Sequence, residues 1–230
     1  VVRLVGSEMC IRDSYDIGND TEMLKIVNSA NIACGFHAGD PNVMDRVVKQ
    51  SIKNGVSIGA HPGFNDLWGF GRRQIQMSTD EIEASVAYQI GALQAISATN
   101  NAFVTHVKPH GALNNMSSLD PDIAAAIAKG VNLVDPKLIL VAVSGSFLFS
   151  AGQALGLTVA AEAYADRSYE DDGNMTSRKY DHAMIKDPEK AAAQVSNIVI
   201  DGYIIANSGK KVPVRADTIS FMGMSPLDQL

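Results

Sequence analysis

The sequence predicts an α/β fold built on a parallel sheet, and three observations lead there. Helical and strand-like runs alternate along most of the 230 residues, the pattern that builds βαβ units. Residues 138–143 are a near-continuous apolar run of the kind buried on both faces of a sheet. Three short histidine-bearing segments, 35–40, 61–64 and 108–112, each follow a strand-like run, at 32–34, 56–60 and 103–107. A parallel α/β architecture gathers the carboxyl ends of its strands on one rim, so residues far apart in sequence meet there. Six or so strand–helix units point to a barrel, although periodicity alone does not separate it from an open doubly wound sheet.

The elements follow in order. Asp20 or Thr21 caps a helix expected to reach about Ser29, with Met23, Leu24, Ile26 and Val27 on its apolar side. Asp40 and Pro41 open a second helix to about Asn54, ended by Gly55, with a strand at 56–60 behind it. Ser78 and Glu81 form a capping box for a helix from about Thr79 to Ala98, on which Ile82, Val86, Ile90, Leu93 and Ile96 recur at helical spacing. A strand at 103–107 precedes a helix capped by Asp120 and Pro121 and running to about Val131. After the strand at 138–143 come a helix at 146–155, stopped by Gly156, and a strand at 157–161 leading to Glu162. A late helix spans 188–200, and 202–205 with 212–214 are expected to pair as a hairpin around Asn207-Ser208-Gly209.

Composition excludes several classes. With 46% hydrophobic and 19% charged residues the chain has the makings of a globular core and not of a disordered segment. A net charge of −6 leaves no basic footprint for nucleic acid or an anionic membrane. No apolar run approaches bilayer length and no signal peptide is recognisable. Cys10 and Cys34 imply no disulfide framework, so a cytoplasmic location is expected. Cys34 reads as a small buried hydrophobe rather than a catalytic thiol.

The chemistry-bearing candidates cluster after the strands. His37 lies in a glycine-rich loop, and Asp40 beside Pro41 has helix capping as its simplest role. His61 stands before Pro62, which denies a ladder amide and places the imidazole at the rim. His37, Asp40 and His61 could hold a divalent ion, without the spacing of a zinc signature. Lys108 and His110 flank Pro109, supplying a point charge and an acid–base group just past a buried strand. Asp166 and Arg167 offer a carboxylate and a planar cationic fork, with an internal salt bridge between Glu162 or Asp166 and Arg167 as the alternative. Arg72 and Arg73 lie in a loop that could close over a ligand or remain solvated. His106, inside a strand, reads as a packed core residue.

The runs 15–24, 29–40, 54–62, 69–73, 106–113 and 162–169 resemble, in this order, the LamB/YcsF lactam-utilisation family. The resemblance implies a seven-stranded β/α barrel like that of glycoside hydrolases and polysaccharide deacetylases. It implies ATP-dependent opening of 5-oxo-L-proline to L-glutamate, with ATP as co-substrate accompanied by Mg2+. It also implies two partner subunits, of the B and C type of a 5-oxoprolinase. By motif it carries over His37, Asp40, His61, Lys108, His110, Asp166 and Arg167 as site residues. Lys108 and Arg167 would balance phosphate or oxyanion charge, His61 or His110 would handle the water proton, and Asp40 or Asp166 would fix an imidazole tautomer. The sequence contains no Walker-type phosphate loop.

Two stretches depart from the family pattern. Residues 1–14 lack its acidic first strand and read as a non-native leader, leaving 15–219 as a single domain. Residues 220–230 replace the family's Cys-Val-His-Gly-Asp-type run and read as a divergent, truncated end without the last helix. The expectation is an inactive or poorly folded polypeptide. Asn114 also stands where the family tends to carry tyrosine. The competing functional readings are a metal-dependent amidase or carbohydrate deacetylase, and a non-catalytic scaffold within the complex.

Overall fold

A computed structural model describes residues 7–11 and 24–221, and the side chains of 24–220. The strands in chain order are β1 (Ser7–Ile11), β2 (Ser29–Ala33), β3 (Ser57–His61), β4 (Val104–Val107), β5 (Ile139–Val143) and β6 (Val159–Tyr164). β7 (Tyr203–Ile205), β8 (Lys211–Pro213) and β9 (Thr218–Phe221) follow. β1 to β6 pair in parallel with their sequence neighbours, and β9 pairs in parallel with both β6 and β1, closing a barrel. β7 and β8 form a separate antiparallel hairpin, as the turn residues predict.

The helices are α1 (Pro41–Asn54), α2 (Thr79–Thr99), α3 (Gly111–Leu119), α4 (Pro121–Val134), α5 (Phe147–Ala154) and α6 (Pro188–Ser196). Their starts follow the capping chemistry in the sequence. Asp40 and Asp120 each accept two backbone amides of the first turn, and Ser78 with Glu81 makes the reciprocal capping box. Gly55 ends α1 in the left-handed region, at φ 68°. Among the described residues no helix is long and apolar enough to cross a membrane.

Alternation along the strands sorts apolar from polar. Ala30, Ile32, Ile58, Ala60, Leu140 and Ala142 join the main core with Met44, Val47, Val86, Ile90, Leu93 and Ile127 of the helices. Between them on the same strands stand Asn31, Gly59, His61 and Val141, all buried or packed within the barrel wall. A smaller core of Ala163, Ala165, Tyr169, Ile198, Ile204 and Ile219 lies beside the β7–β8 hairpin.

His106 packs inside, as expected. The Thr105 hydroxyl donates to Ile58 O at 3.0 Å, so it accepts from His106 Nδ1 at 2.8 Å and leaves Nε2 as a bare lone pair. Burial first, and then the nearby Lys108 charge, push this imidazole down to about 4. A Cβ on Gly59 would come 2.0 Å from His106 Nε2, so the ring occupies the space that a side chain would take. Cys34 is likewise a core residue, its thiol donating to Ile32 O at 3.2 Å and pushed up to about 12 by burial.

Several expectations change. Ser7–Ile11, inside the stretch read as a leader, lies as β1 between β2 and β9. Ladder pairing uses backbone amides and carbonyls, so a strand there does not require the acidic side chains. Of the helix expected from Asp20 or Thr21 to Ser29, residues 20–23 lie outside the described residues, whereas 24–26 form a turn and β2 begins at Ser29, so no helix occupies 24–29. β6 extends through Glu162 to Tyr164, past the expected stop, because residues 162–164 pair in parallel with Thr218, Ile219 and Ser220 of β9. α3 was not foreseen, its Gly, Asn and Ser content being poor for a helix. Buried Ala112 and Leu113 supply the packing that overrides propensity. The last helix gives way to a π-type turn, Asn197–Asp201, ended by Gly202. Residues 222–230 lie outside the described residues.

Replacing Gly59 with Ala is expected to cost about 1–3 kcal/mol by overpacking, read by urea unfolding, with most of the cost relieved when His106 is also truncated. Because His106 is held neutral in the folded state, its contribution is complete above the unfolded value near 6.5 and is lost as pH falls toward about 4. At about pH 5 that loss is on the order of 2 kcal/mol. His106→Asn should remove this part of the acid sensitivity.

Candidate active site

The β3–β4 ladder does not stop where the strands do. Lys108 N donates to Ala60 O at 2.9 Å and His110 N to Pro62 O at 2.8 Å. This continuation sets the ends of the two strands side by side, with His61, Lys108 and His110 on adjacent positions at the barrel mouth. His61 Nδ1 lies 2.6 Å from Lys108 O, His61 Nε2 lies 3.0 Å from His110 Nδ1, and His110 Nε2 lies 2.8 Å from Phe70 O.

This chain of contacts can be counted in protons. Carbonyl oxygens only accept, so His61 Nδ1 and His110 Nε2 each carry hydrogen. The two inner nitrogens face each other, and one proton between them completes the bond. The tautomers are fixed by backbone carbonyls, where Asp40 or Asp166 had been expected to do so.

His37 completes the cluster. Its ring stacks on His110 at 3.8 Å and 5° and meets His61 edge-on at 5.6 Å. The loop after β3 closes over these rings. The Phe70 ring packs edge-on against both His37 and His110, and Gly71 O accepts from Ala112 N at 2.9 Å. Gly111 has φ +54°, and a Cβ there would fall 2.5 Å from Gly71 O, so this close approach requires glycine.

A second polar group sits at the same mouth. The Lys108 ammonium pairs with Glu162 of β6 and donates to Ser220 Oγ of β9 at 3.0 Å, while lying 5.2 Å from the Tyr164 ring centre. Both charged side chains are almost fully buried, at 3% and 1% exposure. The pair reaches from the end of β4 across to β6 and β9, and Lys108 supplies in its own backbone the carbonyl that orients His61.

The remaining expected site residues make other contacts. Asp40 is exposed, and its Oδ1 accepts from Asn42 N at 2.7 Å and Val43 N at 2.9 Å, the helix-capping role. Arg167 is buried, but its guanidinium donates to Ala183 O at 3.2 Å and to Thr176 O, tying down the 168–184 excursion. Burial lowers its basicity. It does not pair with Glu162, whose charge faces Lys108. Asp166 is half-buried at the end of β6 and its backbone O accepts from Ile185 N at 2.9 Å. Arg72 is exposed with its guanidinium 5.5 Å from the Phe70 ring centre, and exposed Arg73 pairs with buried Asp66. Asn114 is buried on α3.

Glu162 had been read mainly as a strand end. A lone carboxylate in the run Val159-Ala160-Ala161-Glu162-Ala163 was the available signal. Ser220, Tyr164 and Phe70 carried none. A groove of about 590 Å³, lined by Phe103, Val104, Lys137 and Leu138, opens at the opposite ends of β4 and β5, away from these groups.

The expected metal set was His37, Asp40 and His61. The structure instead groups His37, His61 and His110, with ligand-capable nitrogens within 4.8 Å of one another. An ion would need the inner lone pairs of His61 and His110, which here share a proton. These three imidazoles are of the kind and spacing that could hold a divalent ion, while His61 and His110 lie within hydrogen-bond distance of each other.

Lys108→Met and Glu162→Gln are each expected to lower stability by about 3–5 kcal/mol, because each strands a buried partner. The paired replacement Lys108→Met/Glu162→Met should recover much of that loss in chemical denaturation.

The fold and these residues can be set beside known proteins. The model of the LamB/YcsF family matches residues 10–226. The chain is 51% identical over 210 residues to the 5-oxoprolinase A subunit of Staphylococcus carnosus, covering 91% of this chain and 83% of that protein. It is 48% identical to the 5-oxoprolinase A subunit of Natranaerobius thermophilus, covering 92% and 82%. The crystal structure of the lactam utilization protein from Thermus thermophilus superposes with a TM-score of 0.92 at 39% identity, covering 97% of this chain and 92% of that one. With the family model spanning most of the chain and relatives of about half identity covering nine-tenths of it, the chain belongs to the LamB/YcsF family.

Proposed function

We propose that this chain is one component of an ATP-dependent 5-oxoprolinase and contributes the groups that open the lactam ring of 5-oxo-L-proline. The observation that carries the reading is the proton-sharing His61–His110 pair at the mouth of a barrel whose relatives are named as the A subunit of 5-oxoprolinase. Those names also support the existence of other subunits, and we take the partners to be of the B and C type.

The chemistry needs a proton source and a proton acceptor at neutral pH. A lactam carbonyl resists water. Transfer of the terminal phosphoryl group of ATP to the lactam oxygen, with release of ADP, makes the ring carbon electrophilic. Water then adds to that carbon and the carbon–nitrogen bond breaks with its electron pair passing to nitrogen, leaving an acyl phosphate, which a second water hydrolyses to the carboxylate and inorganic phosphate. The water yields a proton and the ring nitrogen takes one. An imidazole pair that gives one proton and regains one serves both transfers with no net change. His37, stacked on His110, holds the pair in place. Mg2+ would accompany the nucleotide and not the histidines.

Lys108 takes a revised role. Its charge is matched by Glu162, so it acts through position, holding the carbonyl that faces His61. Water exclusion follows from the loop at 62–73, which covers the rings with Phe70 and Gly71.

The test is ADP release coupled to glutamate formation in the complex reconstituted with its partner subunits. His61→Asn and His110→Asn are each expected to lower turnover by about 10²–10⁴-fold with little change in KM. Wild-type turnover in both variants would refute the reading. Turnover without nucleotide that a chelator abolishes would favour the metal-dependent amidase or deacetylase.

A further inference from the structure

We infer that Gln89 of α2 is a positioning residue for the histidine cluster: its side-chain amide grips both peptide groups of Gly63 and so fixes the backbone against which His37 and His110 lie. This rests on the reading of that cluster as the catalytic one, and deepens it by assigning a group on a helix behind the rings.

The need arises at Pro62. Proline has no amide hydrogen to give to a ladder, so the chain leaving His61 has to be held by other groups. Pro62 O accepts from His110 N at 2.8 Å. The next residue is held by a side chain. Gly63 N donates to Gln89 Oε1 at 2.9 Å, and Gln89 Nε2 donates to Gly63 O at 3.0 Å. The other hydrogen of that amide goes to Ser85, one turn earlier on α2, with its carbonyl at 3.1 Å and its Oγ at 3.2 Å. Turning the amide over would set its NH2 against the Gly63 N–H and its oxygen against two carbonyls, so a single orientation is allowed.

Gly63 passes this grip to the rings. A Cβ there would fall 2.5 Å from His37 Nδ1 and 3.3 Å from His110 Cβ. The bare backbone of Gly63 thus lies against both residues, and any shift of it moves the surface they rest on. His37 stacks on His110, and His110 is hydrogen-bonded to His61. The geometry of the proton-sharing pair therefore runs back through Gly63 to α2.

Packing alone does not call for an amide at this position. Val86, Ile90 and Leu93 of the same helix belong to the main apolar core, and Gln89 among them is fully buried. Its polar atoms lose their water there and need partners. A leucine would fill the space but leave the buried Gly63 N–H and carbonyl unmatched. Apolar contact also has no direction, whereas a two-point amide grip holds one peptide group in one place.

Two substitutions separate positioning from packing. Gln89→Leu removes the hydrogen bonds and keeps the bulk. In the complex with its partner subunits it is expected to lower kcat about 10²-fold, with KM close to wild type. In the chain alone it is expected to displace the imidazole nitrogen resonances of His61 and His110. Gln89→Glu keeps the shape. Protonated, the new carboxyl accepts from Gly63 N and donates to Gly63 O; ionised, it sets a negative oxygen against that carbonyl. Turnover of this variant is therefore expected to fall as pH rises, through an ionisation that the wild-type profile lacks and that burial raises above the ordinary carboxyl range. Wild-type kcat and imidazole resonances in Gln89→Leu would overturn the proposal. A wild-type pH profile in Gln89→Glu would also overturn it, and decides the matter where Gln89→Leu does not fold. Wild-type turnover in His61→Asn, with resonances displaced by Gln89→Leu, would refute the function and leave the positioning standing. Loss of turnover in His61→Asn beside wild-type kcat and resonances in Gln89→Leu would do the reverse.

Discussion

Two backbone carbonyls, of Lys108 and Phe70, hold the outer nitrogens of the His61–His110 pair, and the character of the site follows from how the fold delivers them. A side-chain acceptor would titrate or rotate. A carbonyl at the end of a strand ladder does neither, so the outer protons stay in place and only the inner one is left to move. The Lys108 carbonyl comes from the continued β3–β4 pairing. The Phe70 carbonyl comes from the turn clamped by Asp66 and Arg73. Both depend on backbone geometry that the barrel and a short ion-paired loop enforce.

The barrel interior carries a cost for this. Asn31, His106, Lys108, Glu162, Thr218 and Ser220 are all buried polar groups within or at the mouth of the sheet. Burial of such groups is unfavourable unless partners are supplied. Lys108 meets Glu162 of β6 and Ser220 of β9, a matched set drawn from different strands, while His106 meets its own strand neighbour Thr105. Specificity of strand order comes with that matching, because a shifted register would separate charge from counter-charge. The apolar stabilisation lies outside, between the sheet and α1 to α5.

The fold was legible where local chemistry speaks for itself. Asp40-Pro41, Ser78 with Glu81 and Asp120-Pro121 mark helix starts through hydrogen bonds made within a turn, and the alternation of apolar runs marks a parallel sheet. α3 was not legible, because Gly111, Asn114, Asn115, Ser117 and Ser118 disfavour a helix that only tertiary burial of Ala112 and Leu113 secures. β1 hid in a stretch with no strand-like pattern, since its pairing is a matter of backbone neighbours. In the site, His37, His61, Lys108 and His110 were visible as polar groups just past strands. Arg167 was misread for the same reason: a position after β6 does not reveal that Ala183 and Thr176 carbonyls already claim the guanidinium. Long-range partners, such as Glu162 for Lys108 over 54 positions, are invisible to spacing.

The loop at 62–73 joins the site to the surface with very little intervening structure. Asp66 is buried and bound to Arg73, Trp68 faces water, and Phe70 touches two catalytic-cluster rings, all within eight residues of one another. Gly71 and Gly111 bring this loop against the start of α3 so closely that neither tolerates a side chain. Displacing Trp68 inward or outward must therefore be absorbed at Phe70, since Asp66 and Gly71 are fixed on either side.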